Sequence, residues 1–274
     1  MPAWAGRVKI KQAVKEWKDK MKIISASRRE DMPAFDMGRL LEKYEEYGPE
    51  TFWVLWTKNP RNILLNRMDL DFKRTALQLT VTGHGGTGVE PNVPAPLMVW
   101  EDMEHLIESG FNPDLINWRM DPIIPGMHTT RMVQTLAKRA KGLGINRCIV
   151  SFITFYEHVK KRWPEGLETE RDPAQQREIA GMIKDILGGY GIALYGCAQP
   201  LLSGLIVPSK CIDGGYYSAI TGFTFEMEKD PSQRKECGCT KSTDIGRYRA
   251  SCGHGCRYCY ATGHPNCAEA RLFE

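Results

Sequence analysis

Short apolar runs that end in polar residues recur along the chain, each followed by a stretch with helical spacing. The runs are Lys22–Ser27, Thr51–Thr57, Ala76–Thr82, Leu115–Arg119, Asn146–Ile153 and Ile192–Cys197. Each has the length of a strand and is rich in β-branched or aromatic residues. Between them, Met37–Tyr47, Trp100–Ser109, Thr129–Lys141 and Pro173–Gly188 place apolar residues at helical intervals, and Pro173 and Gly188 give the last of these its start and stop. Strands alternating with helices predict a mostly parallel α/β sheet rolled into a full or partial (βα)6 barrel.

In such a barrel the strand ends converge on one mouth, where chemistry is done. Polar residues follow nearly every run: Ser25, Ser27, Arg28, Arg29 and Asp31 the first; Thr57, Lys58 and Asn59 the second; His84 and Glu90 the third; Arg119 and Asp121 the fourth; Cys197 and Gln199 the sixth. Any one of them is explained as a helix cap or turn residue, but their recurrence predicts a polar site at the mouth. The glycine-rich stretch Thr82–Gly88 offers backbone amides to an anion. It lacks dinucleotide-binding and P-loop spacing, so a plain flexible loop is the alternative.

Composition keeps this picture within ordinary soluble proteins. The 274 residues are 42% hydrophobic and 26% charged, typical values for a globular chain with a sizeable core. No apolar run approaches the roughly 20 residues of a spanning helix. No signal-peptide pattern opens the chain, so the expectation is a cytoplasmic protein without membrane association. The formal charge is +4, and basic side chains crowd Arg7–Lys22 against Glu16 and Asp19. That segment reads either as a solvated helix or as an arm for nucleic acid or another acidic partner. Trp4 and Trp17 are available for stacking on bases or for ordinary packing. The expected organisation is a basic arm over 1–20, a barrel over 21–230 and a cysteine-rich tail over 231–274.

The cysteines change the functional reading most. Six of the nine (Cys237, Cys239, Cys252, Cys256, Cys259 and Cys267) fall in the last 38 residues; the others are Cys148, Cys197 and Cys211. An odd total in a chain expected to stay in a reducing compartment favours metal or cluster ligation over disulfides. Cys252, Cys256 and Cys259 are spaced C-x3-C-x2-C, with Tyr258 directly before the last. Three thiolates on a tight loop can hold three irons of a 4Fe-4S cube and leave the fourth open to a small molecule. A zinc knuckle is the alternative and needs a fourth ligand, for which His254, His264, Cys267 and Cys239 are available. Cys197, Cys211, Cys237 and Cys239 suffice for a second, auxiliary 4Fe-4S cluster, or are buried thiols that act as small hydrophobes, as Cys148 inside its apolar strand is expected to be.

The three-cysteine spacing with its aromatic resembles the cluster motif of the radical S-adenosylmethionine (SAM) enzymes, and a six-stranded partial barrel is the fold of that superfamily. In most of its members the cysteine loop follows the first strand, whereas here it comes last. The chain from about Met21 is also similar to the DUF1848 family, through Ile24–Arg29 with Asp31–Phe35, Trp56–Pro60, Glu90-Pro91, Trp118–Ile123, Cys211–Asp213, and Cys239 through Asp244–Gly246 to the cysteine loop. The radical SAM resemblance implies a 4Fe-4S cluster on Cys252, Cys256 and Cys259, SAM as co-substrate, and a reductant such as flavodoxin or ferredoxin. It implies an oxidoreductase or isomerase acting on an unknown substrate, with a nucleobase or nucleic acid among the candidates. Tyr258, Glu90 and Ser27 are then candidate cofactor-binding residues. Arg28, Arg29, Arg119 and Asp121 are candidates for holding SAM or substrate, with a barrel-mouth ion pair as the plain alternative for each. The other class of reading is a non-catalytic zinc- or iron-sulfur-binding protein that binds nucleic acid or carries electrons.

Overall fold

A computed structural model describes residues 20–167, 172–247 and 252–261. The basic arm up to Asp19, together with His264 and Cys267, lies outside the described residues. All six anticipated runs form strands: β1 (Lys20–Ala26), β2 (Thr51–Thr57), β3 (Thr75–Thr80), β4 (Ile116–Ile123), β5 (Arg147–Phe152) and β6 (Ala193–Gly196). Three two-residue strands join them: β7 (Val207–Pro208), β8 (Thr224–Phe225) and β9 (Thr243–Asp244). Strands this short carry no periodic signal, and none was expected from the sequence. The basic segment also gives up its last two lysines. Lys20 and Lys22 point outward from β1 while Met21 and Ile23 point inward, a period of two that places them in a strand and not in a helix.

The sheet runs β7-β6-β5-β4-β3-β2-β1-β8, with β9 pairing β1 beyond β8, and every pairing is parallel. Both faces of the central strands are covered, which is why β2 is buried at six of its seven positions instead of alternating. Four long helices make the crossovers: α2 (Met37–Tyr47), α4 (Pro96–Glu108), α5 (Thr130–Gly142) and α7 (Pro173–Gly189). Shorter α1 (Met32–Phe35), α3 (Arg61–Leu65), α6 (Glu157–Lys160) and α8 (Gly214–Thr221) complete the set. Helix starts follow local chemistry: Asp31, Thr129, Asp172 and Asp213 each accept a backbone N–H from the first turn of the helix they precede. Trp53, Trp118, Phe52 and Tyr217 are the largest wholly buried side chains of the core. Among the described residues no helix is long and apolar enough to cross a membrane.

With every strand parallel, the residues after β1 to β6 lie at one end of the sheet. The chain beyond β8 returns to that end. Ile24 and Ser25 of β1 pair with Thr243 and Asp244 of β9, and the Ile245 N–H donates to the Ser25 carbonyl at 3.0 Å.

Candidate metal centre at the strand ends

Two groups of thiols occupy this end of the sheet. The first is the loop 252–259, which is held down by side chains from the ends of β1, β2 and β3. Asp31 does most of this. Its Oδ2 lies 2.7 Å from His254 Nε2 and accepts from the Lys58 N–H at 2.7 Å and from Thr57 Oγ1 at 3.0 Å, while Oδ1 caps α1 through the Ala34 N–H. The other ring nitrogen of His254 faces the Asn92 carbonyl at 3.4 Å. Asn92 in turn donates from its backbone N–H to the His254 carbonyl and from Nδ2 to that of Gly253. The loop needs glycine here, since a Cβ on Gly253 would sit 2.5 Å from the Phe35 ring and Gly255 has φ +65°.

On the other side of the loop, Lys58 Nζ donates to Glu90 Oε1 at 2.9 Å and to the Tyr258 hydroxyl at 2.8 Å, and that hydroxyl donates to Glu90. Burial works against the charge on both Lys58 and Glu90. Their mutual attraction wins, so the Lys58 pKa lies above and the Glu90 pKa below the usual value. For the thiols burial outweighs such help. Burial pushes Cys252 up to about 12 and Cys256 up to about 11, although the Lys58 charge opposes the rise at Cys256. Arg162 donates to the Cys259 carbonyl at 2.7 Å, and Tyr260 donates to the Arg28 carbonyl at 2.6 Å, which fixes the far end of the loop.

The glycine-rich stretch supports this arrangement from below. The amides of His84, Gly86, Thr87 and Glu90 are all used within the turn, on Thr82 Oγ1 and the carbonyls of Glu90, His84 and Thr87. They are therefore not aimed at an anion; the turn delivers Glu90 beneath Tyr258.

The second group lies deeper and draws on three segments. Cys211 and Cys197 place their sulfurs 3.2 Å apart, Cys211 also contacts Cys239, and Cys239 contacts Cys237. Arg119 Nη1 donates to Cys211 Sγ at 2.9 Å while its Nη2 pairs with Asp121, which also accepts from Ser151. The Arg28 guanidinium reaches Cys239 and lies 3.7 Å from Asp244. Trp56 has both guanidiniums against its ring, Arg119 at 5.0 Å and Arg28 at 5.3 Å. The Cys237 thiol is held down to about 7 by its hydrogen bond from Cys239, against burial. The Cys197 thiol lies above the usual value through its contact with Cys211 and burial; that contact lowers Cys211, but Cys239 and burial outweigh it and raise Cys211 as well.

The structure thus gathers the anticipated residues but divides their work. Arg28, Arg119 and Asp121 sit with the deep thiols; Tyr258 and Glu90 brace the loop. Arg29 and Ser27 meet the returning chain instead: Arg29 Nη1 donates to the Gly246 carbonyl at 3.2 Å, and Gly246 packs against Ser27. Cys148 is buried alone in β5, its thiol pushed up by burial, as a small hydrophobe would be. Sequence reasoning did not name Asn92 or Arg162, noted Asp31 and Lys58 as strand-end residues without a specific role, and met Trp56 only within the family pattern. Asp31 before Met-Pro reads as an ordinary helix cap, which it also is. As placed, no three of the described His, Cys, Asp and Glu side chains surround a common point as a formed metal site does. What the chain offers is two donor sets: three thiols on one loop, and four thiols linked pairwise in the order Cys197, Cys211, Cys239, Cys237.

No curated protein matches the chain. Among solved structures, the carboxyl transferase domain of Rhizobium etli pyruvate carboxylase with 3-hydroxypyruvate aligns at 10% identity and TM-score 0.28, over 68% of this chain and 37% of that one. The T882A form of that pyruvate carboxylase, crystallized without acetyl coenzyme A, aligns at 10% identity and TM-score 0.27, over 66% and 21%. The chain thus spans well under half the length of these structures. A family model matches residues 49–261, from β2 through the cysteine loop, and the chain belongs to that family, DUF1848, described as a domain of unknown function.

Proposed function

We propose that this protein is a radical SAM enzyme built on a partial βα barrel, with Cys252, Cys256 and Cys259 as ligands of its catalytic cluster. The observation that carries this reading is the commitment of His254. Both of its ring nitrogens face oxygens, those of Asp31 and Asn92, and Cys239 is engaged with the deep thiols. Two of the four candidate fourth ligands of a zinc knuckle are thereby taken, and three thiols remain on the loop. That donor set fits a cube with one open iron.

The position in space also answers the unusual position in sequence. The loop is last in the chain, yet it rests on Asp31, five residues beyond β1, next to where a loop following the first strand would lie. When bound, such a cluster supplies the electron that cleaves SAM to a 5′-deoxyadenosyl radical able to take hydrogen from a substrate. The chain's own residues have separable tasks. Cys252 and Cys256 are protonated at neutral pH in the metal-free loop and would release those protons on ligation. The Lys58 ammonium beside Cys256 offsets thiolate charge, and Glu90 with Tyr258 fixes that ammonium. A nucleobase or nucleic acid remains the substrate class we propose, on the strength of the basic segment ahead of β1.

The test is anaerobic reconstitution, electron paramagnetic resonance with and without SAM, and chromatography for 5′-deoxyadenosine under dithionite. The expected result is a cluster signal that changes on adding SAM, deoxyadenosine production, and loss of both in Cys256→Ala. A loop that takes up only zinc, or a signal indifferent to SAM without deoxyadenosine, would return the protein to a structural-metal or electron-transfer role.

A further inference from the structure

We propose that Cys197, Cys211, Cys237 and Cys239 ligate a second iron-sulfur cluster, closed by four thiolates and separate from the loop 252–259. The proposal stands whether or not the loop is catalytic. The four residues come from the end of β6, the segment after β7 and the segment after β8, so only the fold brings them together. The backbone holds them there: the Thr240 N–H donates to the Ile212 carbonyl at 2.9 Å, the Ile212 N–H points to Cys239 Sγ at 3.5 Å, and Asp230 N–H donates to the Cys239 carbonyl at 2.9 Å.

Two plainer accounts of these thiols fail on observations in the same molecule. Cys148 shows what a cysteine acting as a hydrophobe looks like here: buried inside a strand, its sulfur making no hydrogen bond to a guanidinium or to another thiol among the described residues. The deep thiols instead touch one another, and Arg119 and Arg28 approach two of them. A Cys197–Cys211 disulfide would leave the contact between Cys237 and Cys239 without an account. The 3.2 Å between those sulfurs is also well beyond a bond of roughly 2.05 Å.

Four thiolates around a cube give a net negative site, and two buried guanidiniums face it, each also beside a carboxylate, Arg119 with Asp121 and Arg28 with Asp244. Hydrogen bonds to sulfur raise a cluster's reduction potential, and the Arg119 contact to Cys211 is of that kind. With no open position, the chemistry of the site is one-electron storage. Arg28 also joins the two cysteine groups, its side chain on Cys239 and its carbonyl under Tyr260, next to Cys259.

The experiment counts iron, sulfide and zinc in the full-length chain, purified and reconstituted anaerobically, beside a Cys252→Ala, Cys256→Ala, Cys259→Ala triple variant. The wild type should carry about eight irons and the triple variant about four. The triple variant should accept one electron per cluster from dithionite and give a signal that SAM does not alter. A Cys211→Ser, Cys239→Ser variant should lose about half the iron and keep the SAM response. Should that variant fail to fold by circular dichroism, Arg119→Met keeps every thiol and should lower the midpoint potential of the SAM-indifferent signal alone. An iron-free triple variant, zinc in place of iron, a Cys197–Cys211 disulfide in anaerobic peptide maps, or an unmoved potential in Arg119→Met would overturn the second cluster. Failure of the radical SAM reading would show differently, as a wild type that never cleaves SAM while the triple variant still carries about four irons.

Discussion

The two cysteine groups differ in what holds them. The loop 252–259 takes its thiols from eight consecutive residues, and other side chains pin it: Asp31 on His254, Asn92 on Gly253, Lys58 and Glu90 on Tyr258. Its sulfurs make only nearby contacts, Cys256 with Tyr258 and Cys252 with the backbone of Asp31 and His254. The deep group takes its thiols from three distant segments, and there the sulfurs themselves make the contacts, with each other and with Arg119 and Arg28. On the roles proposed above, the site that would leave a coordination position for a small molecule is the one braced from outside, and the site that would only hold a metal is the one that closes on itself.

If the bracing is external, breaking a brace should disturb the loop far more than the deep group. The largest effect is expected from Lys58→Met. It strands the Glu90 carboxylate, which is 1% exposed, without its cation. Removing one partner of a buried pair costs about 3–5 kcal/mol, read as the shift in urea unfolding at pH 7. The sign with pH follows from Glu90, whose folded pKa is depressed by Lys58 against burial. In the wild type the pair stabilises above the unfolded carboxylate pKa and is lost as pH falls through the folded value. The gap between wild type and Lys58→Met should therefore narrow in acid. Iron retained by the four deep cysteines should survive the substitution; its loss together with the loop's would mean that the two groups are not independent.

A second brace runs through the turn that delivers Glu90. His84 and His128 pack edge to face at 4.6 Å, each with a buried Nε2 that makes no hydrogen bond among the described residues. Burial lowers both, and His128 falls from 6.5 to about 4. A folded pKa below the unfolded one means that stability is lost as pH drops from about 6.5 toward about 4, because the unfolded chain takes up the proton first. The loss reaches up to about 3 kcal/mol. His128→Asn keeps an acceptor for the Ile124 N–H and should flatten the denaturation midpoint across that window. An unchanged pH slope would remove the pair from the account.

Much of this was legible beforehand, for reasons that particular residues illustrate. Strand and helix positions came from periodicity, and Thr51–Thr57 and Met37–Tyr47 emerged with the bounds their patterns predict. The partition of the cysteines followed from spacing on the loop, C-x3-C-x2-C, and by remainder for the rest. The partners were not legible. Asp31 and His254 are 223 positions apart, and nothing local in either neighbourhood marks the pair. Arg119 looked like a group to hold substrate because it ends a strand; its contact with Cys211 depends on the chain's return after β7, where two-residue strands leave no pattern to read. Short strands and long-range side-chain pairs are set by packing, which a single sequence does not display.

The smallest effect concerns thiol chemistry in the metal-free, reduced protein. Thiolate, not thiol, reacts with iodoacetamide. Cys237 is held down to about 7 by Cys239, whereas burial pushes Cys252 up to about 12 and Cys256 up to about 11. At pH 8 Cys237 is mostly thiolate and the two loop cysteines are almost wholly protonated. Cys237 is only 9% exposed, which slows its reaction, so the expected preference is reduced to about tenfold. Peptide mapping after brief alkylation should find Cys237 labelled ahead of Cys252 and Cys256, and Cys239→Ala should abolish the preference by removing the hydrogen bond. Loading the protein with iron and sulfide should then protect Cys237 even when the loop cysteines are replaced by alanine. If the loop cysteines were labelled first in the metal-free protein, the sulfurs of the deep group would not be supporting one another, and the contrast between an externally braced site and a self-contained one would collapse.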